Sequence, residues 1–323
     1  MRKGAVVAGV ILALAGCEPA GVPSSPMPQA RPDRPAAAEA AEPGGAAAPG
    51  RSAQSVALQR HYARVQSDLL SRGLLRTDGG GPDTPFTARM LTENFVRIAL
   101  FDEYAERAGF MVARETASRL RRWDRPVRLQ IRFGPSVPAE TQREDRAATA
   151  AFARRLARVT GHPVSVVGAG GNFHVLVLNE DERRAYGPQL RRLVPGIGDT
   201  AVRTITDMPR STFCLVFAFS EAGRSDYTDA IAVIRAEHPD LLRLSCLHEE
   251  IAQGLGLAND SPRARPSIFN DDEEFALLTT HDELLLRMLY DDRLSPGMTS
   301  REAGPIARRI ADELVGSGRE EPS

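Results

Sequence analysis

Residues 246–260 read Cys246-Leu247-His248-Glu249-Glu250-Ile251-Ala252-Gln253-Gly254-Leu255-Gly256-Leu257-Ala258-Asn259-Asp260. The stretch follows His238-Pro239-Asp240, a sequence suited to opening a helix, because proline presets φ at a position where its missing N–H is not needed. On an ideal helix Glu249, Gln253 and Gly256 lie on one face. Asn259 or Asp260 can return to that face once the chain has turned. A helix that served only packing would not require five polar side chains, Glu249, Glu250, Gln253, Asn259 and Asp260, able to converge on one cleft.

His248-Glu249 opens like the zinc-peptidase motif H-E-x-x-H, but the second histidine position is Ala252. One residue along, Glu249-Glu250-x-x-Gln253-x-x-Gly256-x-x-Asn259 keeps the frame of H-E-x-x-H-x-x-G-x-x-H/D, the motif of the metzincin metallopeptidases, with all three ligand positions changed. Ser267-Ile268-Phe269-Asn270 then resembles the methionine-containing turn of that family, with Phe269 in the methionine's place. Leu278-Thr279-Thr280-His281-Asp282 and Leu289-Tyr290 resemble its C-terminal helix. The whole block, through Asp291-Asp292-Arg293-Leu294-Ser295-Pro296-Gly297-Met298, also resembles a family of bacterial lipoproteins known as a domain of unknown function, over roughly residues 80–300. The metzincin resemblance implies a metallopeptidase-like α+β core. Within it Glu250 is the candidate general base, and Glu249, Gln253 and Asn259 occupy the ligand positions.

Ahead of this block, Arg2 and Lys3 precede an apolar run from Ala5 to Ala15, too short for a membrane span, that ends in Leu14-Ala15-Gly16-Cys17. This is a lipoprotein signal-peptidase box. It predicts a signal peptide over 1–16, lipidation of Cys17, and anchorage on the periplasmic side of a bacterial membrane, expected to be the outer one. Residues 17–55 are rich in Ala, Pro and Gly and bury too little apolar surface to offset their ordering entropy, which predicts a disordered tether.

A helical region is expected over 56–122 and the α+β domain over 123–300, with a C-terminal helix and tail over 301–323. Val56–Leu75 is a helix candidate, and so is Thr87–Ala108, where Met90, Leu91, Asn94, Phe95, Ile98, Phe101 and Ala105 recur at steps of three and four, an apolar stripe with one polar interruption. Val127, Leu129, Ile131 and Phe133 alternate with polar residues and predict a strand. A helix follows over 145–160, closed by Gly161, then short strands over 164–167 and 173–178 joined by Gly168–Gly171. The segment 180–193 reads as a helix broken at Gly187-Pro188. Phe213–Phe219 is expected as a buried strand and Ala230–Arg235 as another. A final helix is expected over Thr279–Tyr290. The predicted class is α+β with a mixed sheet.

The net charge is −1. Removing residues 1–16 takes away Arg2 and Lys3, leaving 39 basic against 42 acidic side chains, so no basic excess remains to hold nucleic acid. Of the three cysteines, Cys17 is assigned to lipid. Cys214 and Cys246 form an even pair in an exported protein and predict a disulfide.

Glutamine and asparagine are poor zinc ligands, so the Glu249, Gln253, Asn259/Asp260 set suits a harder divalent metal or none. His248 stands one position off the ligand face, which favours a packing role behind the helix. His281, next to Asp282, is placed to approach the site from the final helix. Two readings stand. One is a lipid-anchored binding or scaffolding module of the cell envelope, with a protein, peptide or glycan partner in the old cleft. The other is a hydrolase using Glu249, Glu250, Gln253, Asn259 and Asp260, with His248 or His281 and with or without a metal.

Overall fold

In the computed structural model, residues 51–107, 110–270 and 272–317 are described. The predicted signal peptide, Cys17 and most of the predicted tether lie outside them. Helix α1 spans Ala53–Ser71, α2 Ala88–Ala99, and a hairpin follows of β1, Phe101–Arg107, and β2, Phe110–Ala117. The sheet and its helices come next: β3 Val127–Phe133, α3 Ala139–Thr160, β4 Val164–Val166, β5 Phe173–Leu178, α4 Glu180–Arg184, α5 Gly187–Leu193, α6 Asp199–Thr206, β6 Cys214–Ser220 and β7 Tyr227–Arg235. The chain closes with α7 Asp240–Gln253, α8 Thr280–Leu289 and α9 Ser300–Ser317.

The five-stranded sheet has the order β4-β3-β5-β7-β6. Every pairing is parallel except β6 with β7, which is antiparallel. The expected α+β class with a mixed sheet is what the chain forms. Strand alternation decides the two faces: Leu129, Val175, Ala232 and Ile234 join one core with α2, α3, α7, α8 and α9. Leu176, Leu178, Ile231 and Val233 join a second core with α5 and α6. Helix α1 packs outside this frame through Leu58, Tyr62 and Leu69 against Leu242 of α7. Because α2 and α9 share the sheet's first core, helices on both sides of the 123–300 segment are built into it.

Two sequence expectations change, and one helix is added. The helix predicted over Thr87–Ala108 ends at Ala99, because Leu100 leaves helical geometry at φ −124° and its carbonyl accepts from Ser118 N–H at 2.8 Å, opening the β1–β2 hairpin. Phe101 and Ala105 satisfied a helical spacing by coincidence within a strand. Helix α6 was not anticipated, although its Val202 and Ile205 are buried. The run Phe213–Phe219, expected as a buried core strand, contains the edge strand β6, half-buried along its whole length.

The predicted disulfide is present, with Cys214 and Cys246 bonded and their Cα atoms 5.9 Å apart. It fastens the edge strand to the middle of α7. Among the described residues no helix is long and apolar enough to cross a membrane.

Candidate functional site

Helix α7 starts behind Pro239, its N-cap, and buries Leu247 and Ile251 in the main core. That leaves Glu249 and Gln253 on the other side of the helix, both half-buried, with Glu250 at the margin of the packed face. The helix stops because Gly254 and Gly256 change the chain's direction: Gly256 N–H donates to Gln253 O at 2.9 Å, and Gly256 itself takes φ +128°. A Cβ at Gly256 would drive into the Arg121 carbonyl, so only glycine fits this turn. After the turn Asp260 comes back beside the helix and accepts from Gln253 Nε2 at 3.2 Å.

These side chains floor a groove of about 540 Å³. One wall is β6 with the preceding segment, contributing Thr212, Phe213, Val216 and Ala218; Tyr227 of β7 lies beyond it. Asp102 and Arg121, an ion pair at the foot of the β1–β2 hairpin, close one part of the groove, and Glu273 contributes elsewhere. Glu250 is buried at 3% exposure, whereas Glu249 is half-buried. Cys214 Sγ and one carboxylate oxygen each of Glu249 and Glu250 lie within 4.8 Å of one another.

Of the residues singled out from sequence, the structure gathers Glu249, Glu250, Gln253 and Asp260 with Cys214 in the groove lining. Asn259 is not with them. It is buried at 3% exposure, and its Nδ2 donates to Arg97 O at 3.0 Å. Gly256 shapes the turn without lining the groove. His248 lies on another side of α7, stacked on Phe152 with ring centroids 3.9 Å apart, and its Nδ1 accepts from Leu278 N–H at 3.1 Å. Burial, with Arg155 nearby, pushes the His248 pKa down to about 3, so its imidazole is neutral near neutral pH.

His281 is fully buried, with Nε2 3.2 Å from Asn94 Nδ2 and Phe86 edge-on to its ring. Neither His248 nor His281 is among the groove-lining residues.

The turn at 267–270 and helix α8 are one unit. Asp282 closes a capping box with Thr279, and its carboxylate also accepts from Ser267 Oγ at 2.6 Å and from Ile268 N–H at 3.0 Å. Phe269 is fully buried in the core beneath. The sequence reading missed other lining residues of the groove, among them Asp102, Arg121, Met208, Tyr227 and Glu273, since no local pattern tells which distant segments meet α7. The apolar run 213–219 carried the only usable signal, and it reads the same for an edge strand as for a central one.

Residues 88–309 match the family model described as "Protein of unknown function (DUF2927)". No curated protein and no solved structure matches the chain.

Proposed function

The chain belongs to the DUF2927 family, and we propose that it is a lipid-anchored binding module of the bacterial cell envelope, held at the membrane by acylated Cys17 and facing the periplasm. Its partner is a protein that lays an extended segment into the groove between β6 and α7. The observation that carries this reading is β6 itself. It ends the sheet, pairs with no strand but β7 among the described residues, and borders a groove floored by polar side chains. An edge strand beside a groove is the setting in which an extended peptide adds a strand: main-chain hydrogen bonds supply affinity, and pockets for alternate side chains supply selectivity.

The metzincin-like core belongs to the same proposal. Helix α7 with Glu249 and Glu250, the glycine turn at Gly256, and the 267–270 turn tied to α8 follow one another as the resemblance implies. The catalytic zinc of that family does not fit the residues in its frame. Gln253 gives its amide to Asp260, Asn259 is turned to the Arg97 carbonyl, and the histidines of this region are outside the groove. No hydrolytic step is therefore assigned to Glu250, whose carboxylate lies buried in the floor.

The test places a photo-crosslinking amino acid at Phe217 in the full chain in cells, with the same group at exposed Leu70 as control. The expected result is a protein adduct from position 217 alone, which survives Glu250→Gln and maps to one segment of the captured partner. No protein adduct from Phe217 would refute the peptide reading and turn the search to glycans. Cys17→Ser should move the protein from the membrane fraction to the soluble one; retention in the membrane would refute the lipid anchor.

A further inference from the structure

We propose that the Cys214–Cys246 disulfide gates a metal site in the groove: on reduction, the Cys214 thiolate joins the Glu249 and Glu250 carboxylates around a thiophilic divalent cation such as zinc. The proposal does not rest on the peptide reading, although the site lies in the same groove, and it uses a different donor set from the family frame, with Gln253 and Asn259 taking no part.

The donors already converge. One ligand atom from each of Cys214, Glu249 and Glu250 lies within 4.8 Å of the other two. Tetrahedral zinc, with bonds of about 2.3 Å to sulfur and about 2.1 Å to oxygen, sets its ligands about 3.6 Å apart, so closure needs side-chain movement of about 1 Å. The backbone elements that carry them are fixed independently of the disulfide: Cys214 pairs with Ile234 in the sheet ladder, and α7 is seated in the main core. What the oxidised protein lacks is charge on sulfur. A disulfide sulfur is a weak donor, whereas a thiolate with two carboxylates is a borderline-soft set that zinc accepts, with its fourth position open to water.

The second cysteine has a place to go. Cys246 Sγ is 3.7 Å from His238 Nδ1, and His238 is 3% exposed, with no hydrogen-bond partner for Nε2 among the described residues. In the reduced state the Cys246 thiol stays beside this imidazole and out of the groove.

Reduction proceeds by exchange with a dithiol, the reductant the proposal requires. Its thiolate attacks the sulfur of Cys214, the half-exposed and groove-lining partner, and Cys246 leaves as a thiolate that takes up a proton. The second thiol of the reductant closes its own disulfide and releases Cys214. One disulfide is consumed and one formed, and the two thiol protons of the reductant end on the two protein sulfurs. Zinc then displaces the proton of Cys214.

The experiment measures zinc bound to the full chain in detergent by elemental analysis after dialysis, with a chromophoric chelator for affinity. Oxidised protein is expected to hold less than about 0.1 equivalent, and protein reduced with a non-thiol phosphine about one equivalent. Cys246→Ser, which leaves Cys214 free, should bind zinc without reductant. With cobalt it should give a thiolate-to-metal charge-transfer band that Cys214→Ser/Cys246→Ser lacks. Glu249→Gln/Glu250→Gln should weaken zinc about tenfold or more in the reduced state. Equal zinc in oxidised and reduced protein, no zinc in either reduced wild type or Cys246→Ser, or undiminished affinity in the double glutamine variant would each overturn the proposal. Reduced wild type carries the test even where a cysteine variant fails to fold.

Discussion

Replacing Gly256 with alanine should cost far more than replacing another positive-φ glycine, because two effects coincide there. The first is conformational: at φ +128° an L-residue is strained by about 1–3 kcal/mol. The second is contact. The new Cβ would overlap the Arg121 carbonyl oxygen and press on Leu289 Cδ2 at 3.1 Å. Neither backbone can easily yield. Next to Arg121, Leu120 is held by Met298 O and Gly297 N–H at 2.8 Å each, while Trp123 Nε1 donates to Gly254 O at 2.8 Å. Overpacking of this kind adds about 1–3 kcal/mol, for a total of about 2–6 kcal/mol centred on about 4.

Gly161 is the control. It takes φ +67° at the C-cap of α3 with nothing within 4 Å of a built Cβ, so Gly161→Ala should cost only about 1 kcal/mol. Urea unfolding followed by circular dichroism would read the difference, about 1–5 kcal/mol and centred on about 3, as a gap centred on about 1 M in midpoint for a slope of about 3 kcal/mol per M. If Gly256→Ala unfolds within about 0.2 M of Gly161→Ala, the close approach of the 256 turn to Arg121 does not constrain the chain as argued.

Other perturbations report on parts of the same frame. His238 and His248 each have a pKa lowered to about 3, first by burial and then by Arg235 and Arg243 for His238 and Arg155 for His248. The unfolded chain therefore binds more protons between about pH 6.5 and 3. Stability is full above that window and falls with acid by up to about 1.4 kcal/mol per pH unit per histidine. His248→Asn, which can still accept from Leu278 N–H, should remove one histidine's share of that slope in unfolding measured from pH 6 to 4; an unchanged slope would contradict the assignment.

Asp282→Ala should lower stability by about 3–4 kcal/mol, since it strips acceptors from Thr279, Ser267 and Ile268 at a fully buried site. Thermal unfolding would check it, and a loss below about 1 kcal/mol would mean that the 267–270 turn is held by packing alone.

Whatever is encoded within a few residues was legible in the chain alone. The alternation of Val127, Leu129, Ile131 and Phe133 set β3, and the glycines after Gln253 set the end of α7 within a residue or two. Thr279 and Asp282, three residues apart, form the capping box that begins α8. The Cys214–Cys246 pairing was legible once the predicted lipidation set Cys17 aside, leaving two of the three cysteines to pair.

Whatever depends on segments far apart in the chain was set by packing. Whether Phe101–Arg107 continues a helix or forms a strand was settled by pairing with Phe110–Ala117, since its apolar spacing satisfies both periods. That β6 lies at the edge, and so makes a groove wall, follows from strand order and from no property of its own residues. Asp260 and Asn259 are neighbours of similar chemistry. One enters the groove and the other turns to Arg97 O, because the path of the chain after Gly256 is fixed by contacts with α2 and Arg121. Helix periodicity names the face on which Glu249, Glu250 and Gln253 stand, but the partners that turn that face into a site are brought to it only by packing.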